Sequence, residues 1–357
     1  MSKNVLAATL VENKKIEVRK ISLPNIKLDE FEISILRAGI CSSDVQRGML
    51  NGAYHYPLIM GHELSGIISK IGNTMEKEFS VGEKVSIFPL LPCFKCNSCK
   101  KEIYALCDNY NYYGSRCDGG FAEKLIVKRW NLKKIPSNVS LENAALLEPM
   151  AVVLHAIDKM KIDENYTKNI CILGAGFLGL LALQILNFKF PKCKVTIIDR
   201  NAYKLKIAKN ISGKIKLIKS KKQLEQFIAD KVNSFDGVFE FVGNSETYLA
   251  SISLCRQNGK VIWVGNPMDD LNIPKKIVSS ILRKEITLSG SWNSLYKSHN
   301  QCDWENGLLL MSKGINPASL ITKKITLDEI NETLTSMLNH KLRIKNYDII
   351  KVMLEFN

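Results

Sequence analysis

No run of apolar residues in this chain is long enough to cross a membrane. The stretch Cys171 to Leu186, about 16 residues and nearly all uncharged, is short for a span and is interrupted by Gln184. Val5–Val11 is apolar but stops at Glu12, so it reads as a first strand rather than a signal peptide. There is no internal repeat, no low-complexity segment and no polybasic block interleaved with aromatics. Acids are also in deficit: 35 Asp and Glu face 50 Lys and Arg, a formal charge of +15. The positive residues are scattered, which describes a lysine-rich solvated surface. Holding a phosphorylated small molecule is the sharper use of that charge. Binding to nucleic acid would need retention that falls steeply with salt, and neither it nor a membrane is the expected partner. What remains is the composition of a cytoplasmic globular enzyme. Its 357 residues, 46% hydrophobic and 24% charged, amount to about two domains.

The most organised stretch is CILGAGFLGLLALQIL, beginning at Cys171. An apolar strand turns through Gly174, Gly176 and Gly179 and continues as an apolar helix. That spacing suits a tight turn followed by a helix whose first N–H groups face a pyrophosphate. A second apolar strand, Val195–Ile198, ends in Asp199, twenty residues after Gly179. An acid at that distance is expected on the adenosine ribose. Asp199 favours NAD over NADP, because its charge repels a 2′-phosphate, while Arg200 beside it weakens that preference. Phe177 and Leu178 complete the turn.

Downstream, helical stretches Ala202–Asn210 and Lys221–Lys231 alternate with apolar strands Gly237–Val242, Lys260–Val264 and Glu285–Ser289. Such alternation predicts a doubly wound parallel sheet with ligands across its strand ends. Val242, Val264, Gly265, Ser289, Gly290 and Ser291 are the candidate cofactor contacts there, against the plainer reading of strand-to-loop punctuation.

Ten cysteines in a reducing compartment argue for metal rather than disulfides. Cys93, Cys96, Cys99 and Cys107 are spaced so that four thiolates can surround one tetrahedral zinc with no open position, a structural site. It would tie down the irregular loop Pro89–Asn109; a redox or disulfide cluster is the other reading. Earlier, β-rich sequence delivers Cys41 at a strand end. A Ser43-Asp44 pair follows that could cap a short helix. Gly61-His62-Glu63 precedes the next strand. A Cys, a His and a Glu on loops around a small β domain form a mixed S/N/O set that suits zinc. Glu148 is an acid among apolar residues at a helix start, and a buried carboxylate needs a partner.

In their order, Cys41, His62-Glu63, the four-cysteine lobe, Glu148-Pro149 and the glycine turn resemble the zinc-dependent medium-chain alcohol dehydrogenases over nearly the whole chain. The similarity is greatest to the polyol branch, and within it to dehydrogenases of sugar-alcohol phosphates. It rests on Asn51–Pro57, Phe88–Phe94, Gly114–Arg116 with Asp118–Glu123, and Ile281–Glu285 with Gly290–Trp292.

The resemblance implies a GroES-like, β-rich catalytic domain plus a Rossmann domain with a doubly wound parallel sheet, an α/β protein. The expected bounds are 1–154 for the first part of the catalytic domain, with its zinc lobe near 89–109. The Rossmann domain would occupy 155–294, and 295–357 would return to the catalytic domain. Cys41, His62 and Glu63 would hold a catalytic zinc, with Glu148 as fourth or water-mediated ligand. The lobe cysteines would hold a structural zinc. Ser43, Glu63 and Glu148 are the expected catalytic residues. Ser43 matches the hydroxyl that passes the alcohol proton, but Gln46 stands where a relay histidine often follows.

The implied reaction is hydride transfer between a secondary alcohol and NAD, with zinc as the Lewis acid. The expected substrate is an alditol phosphate and its ketose phosphate; free polyols such as sorbitol or xylitol are the alternative. Ser43, His55, Arg116, Glu148 and Trp292 are the candidate substrate contacts. Arg47, His55, Arg116, Arg283 and Lys297 are the candidates for its phosphate. A homodimer or homotetramer is expected from the resemblance. A zinc- and nucleotide-binding protein without turnover is disfavoured, because the full set of Cys41, His62, Glu63 and Glu148 is kept.

Overall fold

A computed structural model describes residues 4–73, 76–163, 168–211, 214–296, 302–341 and 348–356. Lys297 lies outside them. The described chain forms two compact units, Met1–Pro149 with Leu295–Asn357, and Met150–Ser294.

The first unit is built on antiparallel sheet. Asn4–Glu12 and Lys15–Ser22 pair across a tight turn. The main sheet has its centre at Glu30–Ile40, where Phe31, Ile33 and Ile35 alternate inward and are buried. One neighbour is Glu63–Ile71, paired Gly39 to Glu63 and Ala38 to Leu64. The other is Lys351–Glu355, paired Ile40 to Val352 and Gly39 to Met353. Both neighbours run antiparallel to the centre, so both begin where the central strand ends. That register places Cys41, Glu63 and Lys351 at one end of the sheet.

A short hairpin, Leu90–Leu91 with Asn111–Tyr112, carries the cysteine loop between its strands. Phe94 and Tyr104 from that loop pack edge-on against Trp130, at 5.0 and 4.9 Å between ring centroids. Trp130 meets Tyr296, which stacks on Phe88 at 3.8 Å beside the fully buried Trp304. The loop is thus anchored through an aromatic chain into the core of its unit.

The second unit is a six-stranded parallel sheet. In space its strands run Lys214–Leu217, Lys194–Asp199, Asn169–Leu173, Phe235–Glu240, Cys255–Trp263 and Thr287–Gly290. Numbered within the unit, that order is 3-2-1-4-5-6, a doubly wound sheet with its switch point between the first and fourth strands. Burial on both faces explains the near-continuous apolar runs Ile170–Leu173 and Val195–Ile198.

The bounds of all three downstream strands differ from the sequence reading. Val242 lies past the end of Phe235–Glu240, Val264 lies past the end of Cys255–Trp263, and Glu285 is not in a strand. Glu285 closes the helix Lys275–Lys284 in the left-handed region at φ +50°, so the last strand begins only at Thr287. An apolar run predicts a strand without showing where its backbone turns.

The helix Phe177–Lys189 springs directly from the strand Asn169–Leu173. Gly174 makes the turn at φ +101°. A Cβ on Gly179 would stand 1.9 Å from the Gly174 carbonyl oxygen, so only glycine lets helix and turn pack this closely. We predict that Gly179→Ala forces the two apart and costs about 1–3 kcal/mol of stability in this unit. Binding of NAD(H) should weaken with it, while zinc content stays that of the parent. Calorimetric unfolding with a nucleotide titration checks this, and an unchanged NAD(H) affinity would refute it.

Candidate active site

The sheet register delivers the first donor set. Cys41 follows the central strand, and His62 and Glu63 open its neighbour. One donor atom from each of Cys41, His62 and Glu63 lies within 4.8 Å of the others. Gly39 makes this approach possible, because a Cβ there would meet Glu63 Oε2 at 2.0 Å. The carboxylate therefore lies across bare backbone.

His62 Nδ1 and Glu63 Oε2 are buried, and each meets a charged partner, Asp44 and Lys351 respectively. A sulfur, an imidazole nitrogen and a carboxylate oxygen converging in one buried place are the donors that a cation would hold. The donor set therefore fits zinc.

Two residues around this set were not assigned from sequence. Lys351 is 4% exposed, donates to the Ile40 carbonyl at 3.0 Å, and places Nζ 2.6 Å from Glu63 Oε1 and 2.5 Å from Oε2. Nothing in the sequence marks this lysine among fifty basic residues; only the strand register reveals it.

Asp44 is the second. From sequence a Ser43-Asp44 pair could cap a short helix; the structure bears out Asp44, as the acid of a capping box, but not Ser43. Cys41 is the N-cap of Ser42–Gln46, and Asp44 reaches back to accept from the Cys41 N–H at 3.0 Å. The other Asp44 oxygen lies 3.3 Å from His62 Nδ1 and 3.4 Å from Arg47. Burial opposes its charge, yet His62, Arg47 and the Cys41 amide hold its carboxyl below the usual range. Burial likewise lowers the His62 value, but Asp44 and Cys41 raise it well above the ordinary imidazole range. A carboxylate behind a histidine is the arrangement that orients a metal-binding imidazole.

Glu148 stands outside the three-residue set. It starts the helix Leu147–Met160, and burial pushes its carboxyl up, His62 opposing and Glu63 reinforcing that shift. Tyr112 donates to it at 2.9 Å, and the Tyr112 ring packs edge-on to His62 at 5.8 Å. Ser43 is half-buried, with its N–H 3.5 Å from Cys41 Sγ.

The remaining substrate candidates are dispersed. His55 faces the carbonyls of Pro57 and Arg116 with its two ring nitrogens, at 3.1 and 3.3 Å. Arg283 is tied to Ser279 on the helix Lys275–Lys284. Trp292 is 55% exposed, and like Arg283 it belongs to the second unit.

The four lobe cysteines form the other donor set, with all four sulfurs within 4.8 Å of one another. Amides of Lys95 and Cys96 hold the Cys93 thiol down at about 6, while burial pushes Cys99 up to about 12. Four thiolates this close cannot coexist without a cation, and a tetrahedral zinc is the ion that four sulfurs fit.

In the second unit, the helix after Gly176 has no side-chain cap, and a Cβ on Gly176 would meet nothing within 4 Å. An open space in front of a helix N-terminus is what a pyrophosphate requires. Asp199 accepts from the Ala175 and Asn201 amides at 2.7 and 2.8 Å, which fixes it beside that turn. Arg200 is held by Glu246 at 2.9 Å. Glu240 was missed from sequence because it reads as a polar end to an apolar strand. It is fully buried, and accepts from the Val242 and Gly243 amides at 2.8 and 2.9 Å and from Thr247 at 2.7 Å. It thereby holds in place the loop that carries the candidate cofactor contact Val242.

Comparison with known proteins agrees with both units. Residues 27–137 match the alcohol dehydrogenase GroES-like domain, and residues 178–313 match the zinc-binding dehydrogenase domain. The chain is 34% identical to galactitol 1-phosphate 5-dehydrogenase of Escherichia coli (strain K12), over 84% of this chain and 86% of that protein. The chain belongs to the zinc-dependent medium-chain alcohol dehydrogenases.

Within that family it groups with polyol dehydrogenases. It is 30% identical to D-arabitol-phosphate dehydrogenase of Enterococcus avium, covering 94% of this chain and 93% of that one. It is 28% identical to sorbitol dehydrogenase of Bacillus subtilis (strain 168), covering 98% and 97%. The crystal structure of galactitol-1-phosphate dehydrogenase from Escherichia coli superposes with a TM-score of 0.87 at 30% identity, covering 98% of this chain and all of that one. The protein is an oxidoreductase of CH–OH groups that uses zinc and NAD(P), with a GroES-like domain and a Rossmann-like parallel sheet.

We predict that Lys351→Met costs the chelator-treated protein about 3–5 kcal/mol, because Glu63 is left as a buried charge without its partner. The zinc-loaded protein should lose clearly less, since the metal supplies a second partner. Urea unfolding of both forms checks this, and equal losses would show that Glu63 does not face the metal.

Proposed function

We propose that the protein interconverts an alditol phosphate and the corresponding ketose phosphate, with NAD as the preferred cofactor. The observation that carries the chemistry is the three-donor set at Cys41, His62 and Glu63. Three protein ligands leave a position open for a substrate oxygen, unlike the closed set of four cysteines. Its phosphorylated substrate is supported by the two sugar-phosphate dehydrogenases among the relatives.

Zinc bound there would supply a Lewis acid, and the nicotinamide would supply the hydride acceptor. The chain's own residues do the rest. Asp44 orients His62, and Lys351 fixes Glu63 over Gly39. Glu148, with its carboxyl raised by burial and its position set by Tyr112, lies beside the set as fourth ligand or as partner to a water. Ser43, whose N–H lies beside Cys41 Sγ, would take up the hydroxyl proton as the alcohol carbon loses hydride and becomes a carbonyl. Beyond Ser43, Gln46 cannot titrate, so the proton leaves through water or a cofactor hydroxyl.

NAD is favoured because the charge of Asp199, held beside the glycine turn, would repel a 2′-phosphate, and Arg200 is engaged by Glu246. A reducing, cytoplasmic location fits the ten free cysteines, four of which the zinc lobe needs reduced. A homodimer or homotetramer is the assembly that goes with the family.

The second reading is a dehydrogenase of free polyols, favoured by the sorbitol dehydrogenase relative that covers nearly the whole chain. Initial rates on hexitol and pentitol phosphates and on the parent polyols separate the two. The phosphate reading expects kcat/KM to be at least about tenfold higher for the phosphorylated form. Equal efficiency on both would reject it.

A cofactor test is independent. Glu246→Gln releases Arg200, and the ratio of kcat/KM for NADP to that for NAD should rise about two- to fivefold, the scale of an exposed ion pair. A ratio that does not move would remove Glu246 from cofactor selection.

A further inference from the structure

The turn that supplies Tyr112 to Glu148 also carries an arginine. The Tyr112 carbonyl accepts from the N–H groups of Ser115 and Arg116 at 3.1 and 2.9 Å, and Gly114 N–H bonds back to Cys117 at 2.8 Å. The chain therefore folds back within four residues, and the Arg116 backbone returns beside Tyr112. On the side-chain level, the Arg116 guanidinium lies over two rings, 4.4 Å from the centroid of Tyr110 and 4.6 Å from that of Tyr54. Tyr110 packs edge-on to Tyr112, which packs edge-on to His62. A continuous row of aromatic side chains thus links the guanidinium to the candidate metal ligands, all within one unit.

Other cations around this set are already committed. Lys351 faces Glu63, Arg47 faces Asp44 and the Gly114 carbonyl, and Arg37 faces Glu142 and Glu355. Arg116 differs. Among the described residues its guanidinium has no hydrogen-bond acceptor and no acidic partner; only its backbone is hydrogen-bonded, the N–H to Tyr112 and the carbonyl to His55. Asp118, the nearest acid in sequence, is spent on the Ile59 amide at 2.9 Å. The tyrosine rings cover part of the cation and restrict its rotamers without consuming its N–H donors. What is left is a half-buried, pre-positioned fork of N–H groups, the geometry that pairs bidentately with a phosphate.

We infer that Arg116 is the specificity-determining residue that receives the terminal phosphate of the substrate, with Tyr54 and Tyr110 holding its side chain for that purpose. The inference rests on the phosphorylated-polyol reading above and narrows its phosphate candidates to one. Arg47, already bonded on both sides, positions Asp44 instead.

The test compares the parent enzyme, Arg116→Gln and Arg116→Lys on a hexitol 1-phosphate and on the same free hexitol, with zinc content and thermal unfolding measured alongside. The readout is the ratio of kcat/KM for the phosphorylated to the free substrate. Arg116→Gln should lower that ratio at least about tenfold, chiefly through KM of the phosphorylated substrate. Arg116→Lys, which keeps the charge but not the fork, should fall between.

If Arg116→Gln lowers both efficiencies equally, the residue merely clasps the 54–57 segment to the 110–118 turn, and the inference is wrong. If the ratio does not change, the phosphate lies elsewhere and the inference is again wrong. The parent enzyme alone reports on the underlying reading. Parity between its two substrates sinks that reading, whereas a preference that survives Arg116→Gln sinks only the role of this arginine.

Discussion

The contact between the Glu63 carboxylate and the Lys351 ammonium, laid over the bare backbone of Gly39, is the constraint on which this molecule turns. It sits where one strand ends and its two antiparallel neighbours begin. Residues from positions 41, 62–63 and 351 can meet only there, so the register of three strands and the geometry of the site are one fact. A slip of one residue in either neighbour would send Glu63 or Lys351 to the opposite face of the sheet. The strand Lys351–Glu355 is thereby part of the candidate metal site although it carries none of the expected ligands.

Burying so many ionisable groups is expensive unless their charges offset one another. Asp44 and Glu63 are the carboxylates of the site, and Lys351 and Arg47 are its cations. Burial opposes a charge on His62, but Asp44 beside the ring pulls it toward protonation when protein groups alone surround it. A dication held by the donor set would take the place of that proton and add positive charge. The same centre then favours a partner that gains negative charge, which an alcohol does as it loses its proton. The electrostatics of the protein and the chemistry of the reaction are matched in this sense. Glu148, raised by burial, adds no further fixed anion when neutral.

Much of this was legible in the sequence because the informative signals are local. Four cysteines within fifteen residues, a glycine turn between apolar runs, and an acid twenty residues later are each read from spacing alone. Cys41, His62 and Glu63 were legible as a mixed donor set suited to zinc, and the family resemblance strengthened that reading. Lys351, Asp44 and Glu240 were not legible, for a common reason. Each acts through a partner distant in sequence or through its own backbone: Lys351 on Glu63, Asp44 on His62, Glu240 on the amides of Val242 and Gly243. A charged residue near an apolar strand looks the same whether it faces solvent or a buried partner. The part of the cap misread at Ser43 has the same origin: residue preference pointed to serine, but the cysteine sulfur took the N-cap position while Asp44 bonded back to the Cys41 amide.

The cysteine lobe is usually regarded as separate from the reaction, yet its place in the chain argues otherwise here. The loop from Pro92 to Tyr110 leaves one strand of the hairpin Leu90–Leu91 and re-enters through the other, Asn111–Tyr112. Holding four thiolates around one ion therefore fixes the separation and direction of both hairpin strands. The second strand ends in Tyr112, which donates to Glu148 and packs on His62, and it runs on into the turn that bears Arg116. The aromatic chain from Phe94 and Tyr104 through Trp130 to Tyr296 and Phe88 anchors the loop from its other side. With the ion gone, burial would return protons to Cys99 and Cys107 while Cys93 and Cys96 stayed more acidic, so the four sulfurs would lose their common partner. The hairpin would then be held only by its two-residue strands and the aromatic contacts. A two-stranded pairing that short has little stability of its own. The closed metal site thus acts on the open one through a few residues of backbone, by setting where Tyr112 presents its hydroxyl.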